Sequence, residues 1–196
     1  MKFTRIPTNT FQMLAMNAGV ICTDFTVGTG TIDEADILGA TSGGITVTCV
    51  PEFADMGDDV DNCPKNTMEL KKITGWTVTA SGTLVTVSAA AAQKLLGAAT
   101  VATNKITPDM DLDPTASTGD FGDIWIVGDY SDKNGATNGG YIACHIINAM
   151  STGGFSLVTS DQEKAKFAFE FTGHVSISAQ DTVPFELYVK AGTAEQ

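Results

Sequence analysis

The stretch ITGWTVTASGTLVTVS, residues 73–88, decides the fold. Trp76, Val78, Ala80 and Leu84 fall on even positions, while Thr77, Thr79, Ser81 and Thr83 fall on odd ones. That is the two-residue period of a β-strand with one apolar and one wet face. After Leu84 the apolar residues move to odd positions, Val85 and Val87. A period of two cannot change phase without a defect. The sequence therefore predicts a bulge or bend near residues 81–84, permitted by Gly82, in a strand able to pass from one sheet to another. Upstream, residues 45–53 carry the same pattern. Ile45, Val47, Cys49, Pro51 and Phe53 share one face, and Thr46 and Thr48 lie on the other.

Between these two strands runs PEFADMGDDVDNCPKNTMELKK, residues 51–72. Glu52, Asp55, Asp58, Asp59 and Asp61 come first without a base. Lys65, Lys71 and Lys72 follow with only Glu69 among them. A cation cage needs ligands fixed by a turn or by His and Cys partners, and this stretch has only Gly57 and a lone Cys63. It reads instead as a solvated or interface loop, 54–72, with two oppositely charged ends.

Outward from this pair the signals remain mostly β. Ser88 is an N-cap before the alanine-rich run AAAAQKLL, and Gly97 can end the helix, so one helix is expected over about 89–97. Ile124–Val127 is apolar on both faces, as in a central strand. YIACHIINAM (141–150) and a short piece at 155–158 continue the β pattern. In KFAFEFTGHVSIS (166–178), Phe167, Phe169, Phe171, Val175 and Ile177 point one way, and Lys166, Glu170, Thr172 and His174 the other. PFELYVK (184–190) repeats this with Phe185, Leu187 and Val189, and Pro184 suits the start of an edge strand. At the N-terminus, Phe11, Leu14 and Ala15 have helical spacing, and a short strand is expected at 20–25. The expected organisation is an arm over 1–18, one domain over 19–190 and a tail over 191–196. The expected fold is mainly β: a sandwich or barrel of two packed antiparallel sheets with one flanking α-helix.

Composition narrows the function. With 11 bases against 23 acids, net charge is −12. Phosphate binding draws on Lys and Arg, so affinity for nucleic acid is not expected. Charged residues make up 17% of the chain, against roughly 25% in ordinary soluble domains. A surface with so few charges fits burial between copies in an assembly. No apolar run reaches the roughly 18 residues of a spanning helix, and the first 19 residues lack a signal-peptide core, so no membrane partner is expected. Cys22, Cys49, Cys63 and Cys144 form no CxxC and no zinc spacing, and reduced thiols are expected.

Few constellations point to chemistry. Asp109, Asp111, Asp113 and Asp120 occupy positions one, three, five and twelve of a calcium loop. The glycine required at position six is Pro114, and the twelfth ligand is Asp rather than Glu. Cys144 and His145 are neighbours on a strand, so they point to opposite faces and cannot act as a nucleophile and its base. No phosphate loop and no G-x-S-x-G elbow is present. No catalytic residue, metal or cofactor is expected.

In order and spacing, several segments resemble the major tail tube protein of long-tailed bacteriophages and related prophage elements. These are ILGATSGG with the strand after it, PEFADMGDDVDNCPKNTMELKK, GWTVTASGTLVTVS with its helix, DIWIVGDYSD, INAMSTGGFSL and KFAFEFTGH, over roughly residues 10–178. The resemblance implies two packed antiparallel sheets beside a helix. It also implies hexameric rings closed edge to edge, and stacking of those rings into a tube through which DNA passes during ejection. By the same resemblance, the loop between the lumen strands reaches the next ring. Asp55, Met56, Asp58, Asp59, Val60, Asp61, Asn62, Lys65, Met68, Lys71 and Lys72 are then its contact residues. The Ser/Thr face of Thr46, Thr48, Thr77, Thr79, Ser81 and Thr83 would line the lumen. Implied partners are further copies of the chain, the tape measure, tail terminator and distal tail proteins, and DNA that passes without specific binding. The implied location is the virion, with assembly in the bacterial cytoplasm. The inner tube of a contractile particle fits the same features. A carbohydrate- or cell-surface-binding sandwich is the other class considered. It needs an exposed aromatic platform, whereas Trp76 and Trp125 both fall in apolar strand patterns.

Overall fold

A computed structural model describes residues 6–10, 13–115, 120–130 and 139–192. Its elements, in chain order, are β1 (Ala15–Cys22), β2 (Ile37–Gly39), β3 (Thr41–Asp55), β4 (Lys71–Leu84), α1 (Ala89–Leu96), β5 (Ala99–Ala102), β6 (Lys105–Pro108), β7 (Gly122–Tyr130), β8 (Gly140–Ser151), β9 (Ser156–Val158), β10 (Lys166–Gly173) and β11 (Phe185–Lys190). With 51% of residues in strands and one α-helix, the fold is mainly β.

There are two sheets, but of unequal size. One has nine strands, with the path β2-β1-β7-β8-β10-β4-β3; β11 joins it at β8 and β9 at β10. The other is the β5–β6 ribbon. Of the two antiparallel sheets expected in a sandwich or barrel, the second is thus only a two-stranded ribbon, and the large sheet rolls on itself. Four strands separate β1 from β3 in the path, yet the two lie in contact. What closes the roll is burial. Ile21, Val78, Ala80, Leu84, Ile124, Ile126, Ile146, Phe169 and Phe171 pack into one core, with Leu95 of α1 against them. Opposite β7 faces feed two cores. Ile124 and Ile126 enter the first, and Trp125 and Val127 enter a second with Cys22, Phe25 and Ala143. The apolar run Ile124–Val127 is explained by this central position.

The helix lies where its caps predict. The Ser88 side chain accepts a hydrogen bond from the Ala91 N–H at 3.1 Å. Gly97 closes the helix at φ +81°, a conformation that favours glycine. The buried Ser151 hydroxyl of β8 donates to the Leu95 carbonyl at 2.8 Å, fixing α1 to the sheet.

Three expectations need correction. First, β4 does not bulge near 81–84. It pairs without a break against β10, from Thr79 opposite Thr172 to Leu84 opposite Phe167, and stays in one sheet. The irregularity lies across from it, in β3, where Thr41 faces Leu84 but Ile45 faces Gly82. Gly43 and Gly44, both at φ +84°, absorb the two extra residues. Gly82 has the role of a clearance: a Cβ there would meet the Phe169 ring at 2.8 Å and the Gly44 carbonyl oxygen at 3.1 Å. The phase change at Val85 is the end of the strand. Second, Ala15 opens strand β1 rather than closing a helical turn, and β1 ends at Cys22 rather than Phe25. The arm is therefore part of the sheet from Ala15, because pairing with β7 outweighs weak helical spacing. Phe11 lies outside the described residues. Third, β10 stops at Gly173, so Val175 and Ile177 do not continue its apolar face, and Ile177 is 89% exposed.

Candidate functional site

The β3–β4 hairpin is the largest pairing in the molecule and carries most of the singled-out residues. Thr46 faces Ser81, Thr48 faces Thr79 and Val50 faces Thr77. The Thr48 and Thr79 hydroxyls lie 2.5 Å apart, and the Thr77 hydroxyl donates to Glu52 at 2.7 Å. On the other side of β4, Thr83 faces Ala168, Ser81 faces Glu170 and Thr79 faces Thr172, whose hydroxyl meets that of Thr152 at 2.8 Å. Thr46, Thr48, Thr77, Thr79, Ser81 and Thr83 thus form one hydroxyl face on β3 and β4, carried onto β10 by Thr172, with Glu52 and Glu170 within it. Alternation explains it: Val78, Ala80 and Leu84 are sealed in the core, so the intervening residues must turn away from it.

Toward its tip the hairpin pairs further than the sequence pattern indicates. Ala54 faces Lys72 and Asp55 faces Lys71, which leaves 56–70 as the loop instead of 54–72. Lys71 and Lys72 are therefore strand residues set beside their own chain, and the Lys71 ammonium lies 5.8 Å from the Phe53 ring centroid. Asp55 serves its own loop. Its carboxylate accepts the Gly57 N–H at 3.1 Å and the Asn66 N–H at 3.2 Å. Asn62 and Asn66 turn the chain at φ +62° and +61°, which Asn tolerates. Gly57 is buried at van der Waals range of Cys63 and Leu70, where a Cβ would lie 2.8 and 2.9 Å from their side chains. The loop is thus a folded unit. Met56, Asp58, Asp59, Val60, Asp61, Asn62, Lys65 and Met68 all project outward from it, and Met68 is 79% exposed.

A second feature of this tip went unseen in the sequence. At Thr74 a one-residue bulge shifts β4, so Ile73 comes opposite Phe53 on the core-side face. The core does not extend that far. Phe53 is 58% exposed, Ile73 is exposed, and Trp76, expected inside, is 37% exposed. Trp76 and Ile73 border a cleft of about 330 Å³ whose far wall is Val175, Thr182 and Pro184. Trp125, in contrast, is buried as its pattern predicts.

The acidic loop at 109–120 is braced by its own backbone. Asp113 accepts the Thr115 N–H at 2.9 Å and its hydroxyl at 2.7 Å, which holds its carboxyl below the usual range. Asp120 accepts the Asp113 N–H at 2.8 Å. Among the described residues no group of three or more His, Cys, Asp or Glu side chains is placed to hold a metal. All four cysteines are free thiols, and burial raises the pKa of Cys22 to about 12, helped by Asp36 and Asp24. Burial also pushes Cys144 up. Cys144 packs against the first core, while His145 stacks on Trp125 at the second.

One polar cluster had no sequence signal. His145 lies 3.0 Å from Asp123 through Nε2 and 3.0 Å from Glu186 through Nδ1. Glu186 also accepts the Tyr188 hydroxyl at 2.6 Å. These bonds hold the Glu186 carboxyl below its ordinary range, and the same bond to Glu186 raises the Tyr188 phenol. Its members come from β7, β8 and β11, and only the register of three strands brings them together. No protein-family profile matches the chain, and no curated protein matches its sequence.

Proposed function

We propose that the chain is a structural subunit that self-assembles into rings, six copies each, and that the rings stack into a tail tube conducting DNA. The β3–β4 hairpin carries this reading: one side offers a hydroxyl face whose only charges among the described residues are acidic, and its tip offers exposed Phe53, Met56, Val60, Met68 and Ile73. A wet wall with two glutamates and net charge −12 gives a passing phosphate backbone little to adhere to. The apolar tip is the kind of surface that a neighbouring copy covers. The outer edges of β3 and β11 are unpaired among the described residues, a hazard in a lone subunit and a means of edge-to-edge closure in a ring.

In this reading the folded loop 56–70 contacts the adjoining ring, chiefly through Met56, Val60 and Met68. Asp58, Asp59, Asp61 and Lys65 add rim charges worth about 0–1 kcal/mol each. Tape measure, terminator and distal tail proteins would meet the inside and the ends of the tube, and the particle would be a virion. The inner tube of a contractile particle uses the same surfaces. Negative-stain microscopy of the purified chain at neutral pH tests the reading. Rings or tubes are expected, and a strictly monomeric protein at high concentration would count against it.

A further inference from the structure

His145 is placed between two carboxylates, one at each ring nitrogen. Asp123 of β7 stands 3.0 Å from Nε2, and Glu186 of β11 stands 3.0 Å from Nδ1. A neutral imidazole has a proton on one nitrogen only. It can donate to one carboxylate and must set a lone pair against the other, whereas an imidazolium donates to both. The rest of the cluster is shaped for a ring that donates from both nitrogens. The imidazole lies flat on the Trp125 indole, centroids 3.9 Å apart and planes 6° apart, and an indole face attracts a cation. Both carboxylates are held in place. The other Asp123 oxygen accepts the Asn148 N–H at 3.1 Å, and Glu186 accepts the Tyr188 hydroxyl.

The cluster also sits at a mechanically sensitive point. Among the described residues β11 pairs only with β8, from Phe185 opposite Ile146 to Lys190 opposite Tyr141. Leu187 and Val189, on the same face as the core-packed Phe185, are half exposed, so that face contributes little burial beyond Phe185. We propose that Asp123, His145 and Glu186 form a proton-operated clasp that fastens edge strand β11 to the sheet, closed while His145 carries both ring protons and loosened when it loses one.

The other charged groups do not replace this proton. Facing the ring are Asp123 from β7 and Glu186 and Tyr188 from β11. On the α1 side Lys94 stands beside Gly122, and Lys94 and Asp36 border the same cleft as Asp123. Asp129, Tyr141 and Lys190 lie at the far end of this face. The clasp needs a donor on each ring nitrogen, so it is made while both ring protons are present and broken when one is lost. Glu186, held below its ordinary range, contributes above the usual carboxylate range and loses that contribution as pH falls. The clasp therefore also weakens in acid, as pH falls below the ordinary carboxylate range and Glu186 takes up a proton. This inference does not depend on tube assembly.

Hydrogen exchange of the whole protein tests it, with rates corrected for the intrinsic pH dependence and the His145 titration followed by ring-proton NMR. Protection of the Glu186–Lys190 amides should fall about tenfold across that titration, while protection within β10 stays constant. In His145→Gln the β11 protection should no longer depend on pH in that range. Asp123→Asn, which keeps the shape of the side chain, should reduce the dependence if the glutamine variant folds poorly. Equal β11 protection on both sides of the titration, or an unchanged pH dependence in either variant, overturns the clasp.

Discussion

Gly82 shows how one residue can carry a structural decision without side-chain chemistry. Its missing Cβ leaves room for the Phe169 ring and for the Gly44 carbonyl of the β3 bulge. Gly82→Ala should therefore destabilise the protein by about 1–3 kcal/mol, as overpacking does, seen as a lower urea midpoint at unchanged slope. Cys22 offers a second test at this scale. It is fully buried and its pKa is pushed up to about 12. Iodoacetamide at pH 8 should label Cys63 on the exposed loop well before Cys22, and the two should react alike only after unfolding in urea. Early labelling of Cys22 in the native protein would contradict the packing of the second core. Asp55 is a third case. Its two bonds to backbone N–H groups close the loop, so Asp55→Ala should cost about 1–2 kcal/mol of loop stability, read as faster exchange of the Gly57 and Asn66 amides.

At the scale of elements, the β3–β4 hairpin joins the fold to the proposed function. Replacing residues 58–65 by Asn-Gly should leave the subunit folded, with a melting temperature within a few degrees, because the hairpin pairing through Asp55 and Lys71 is untouched. The same change should weaken stacking of rings, and tubes that form unchanged would remove the loop from that role. The elements also show what the sequence can reveal. Strict alternation made the inward set Val78, Ala80, Leu84, Phe169 and Phe171 legible, and with it the hydroxyl face. Ser88 and Gly97 made α1 legible. Register was not legible: the offset at Thr41/Ile45 and the bulge at Thr74 depend on which strand lies opposite. The second of these turns Ile73 toward Phe53, and the pairing of β7, β8 and β11 assembles Asp123, His145 and Glu186 from residues far apart in the chain. Ala15 has helical spacing from Phe11 yet joins β1, because that spacing weighs less than pairing with β7.

For the whole molecule, the rolled nine-stranded sheet presents two surfaces at the β3–β4 hairpin that matter to assembly as proposed. One is the hydroxyl face of β3, β4 and β10; the other is the apolar tip at Phe53, Met56, Val60, Met68 and Ile73. If the tip is buried between copies mainly by apolar contact, added salt should weaken the tubes only modestly. A steep loss of tubes between 0.05 and 0.5 M salt would instead assign the contact to the charged rim, since screening acts on roughly the 10 Å scale. The most direct measurement is a cryo-EM reconstruction of the purified chain at high concentration. The account predicts stacked rings around an open channel whose wall carries Thr46, Thr48, Thr79 and Ser81. A monomer that forms no rings, or a tube with this hydroxyl face on its outside, would contradict it.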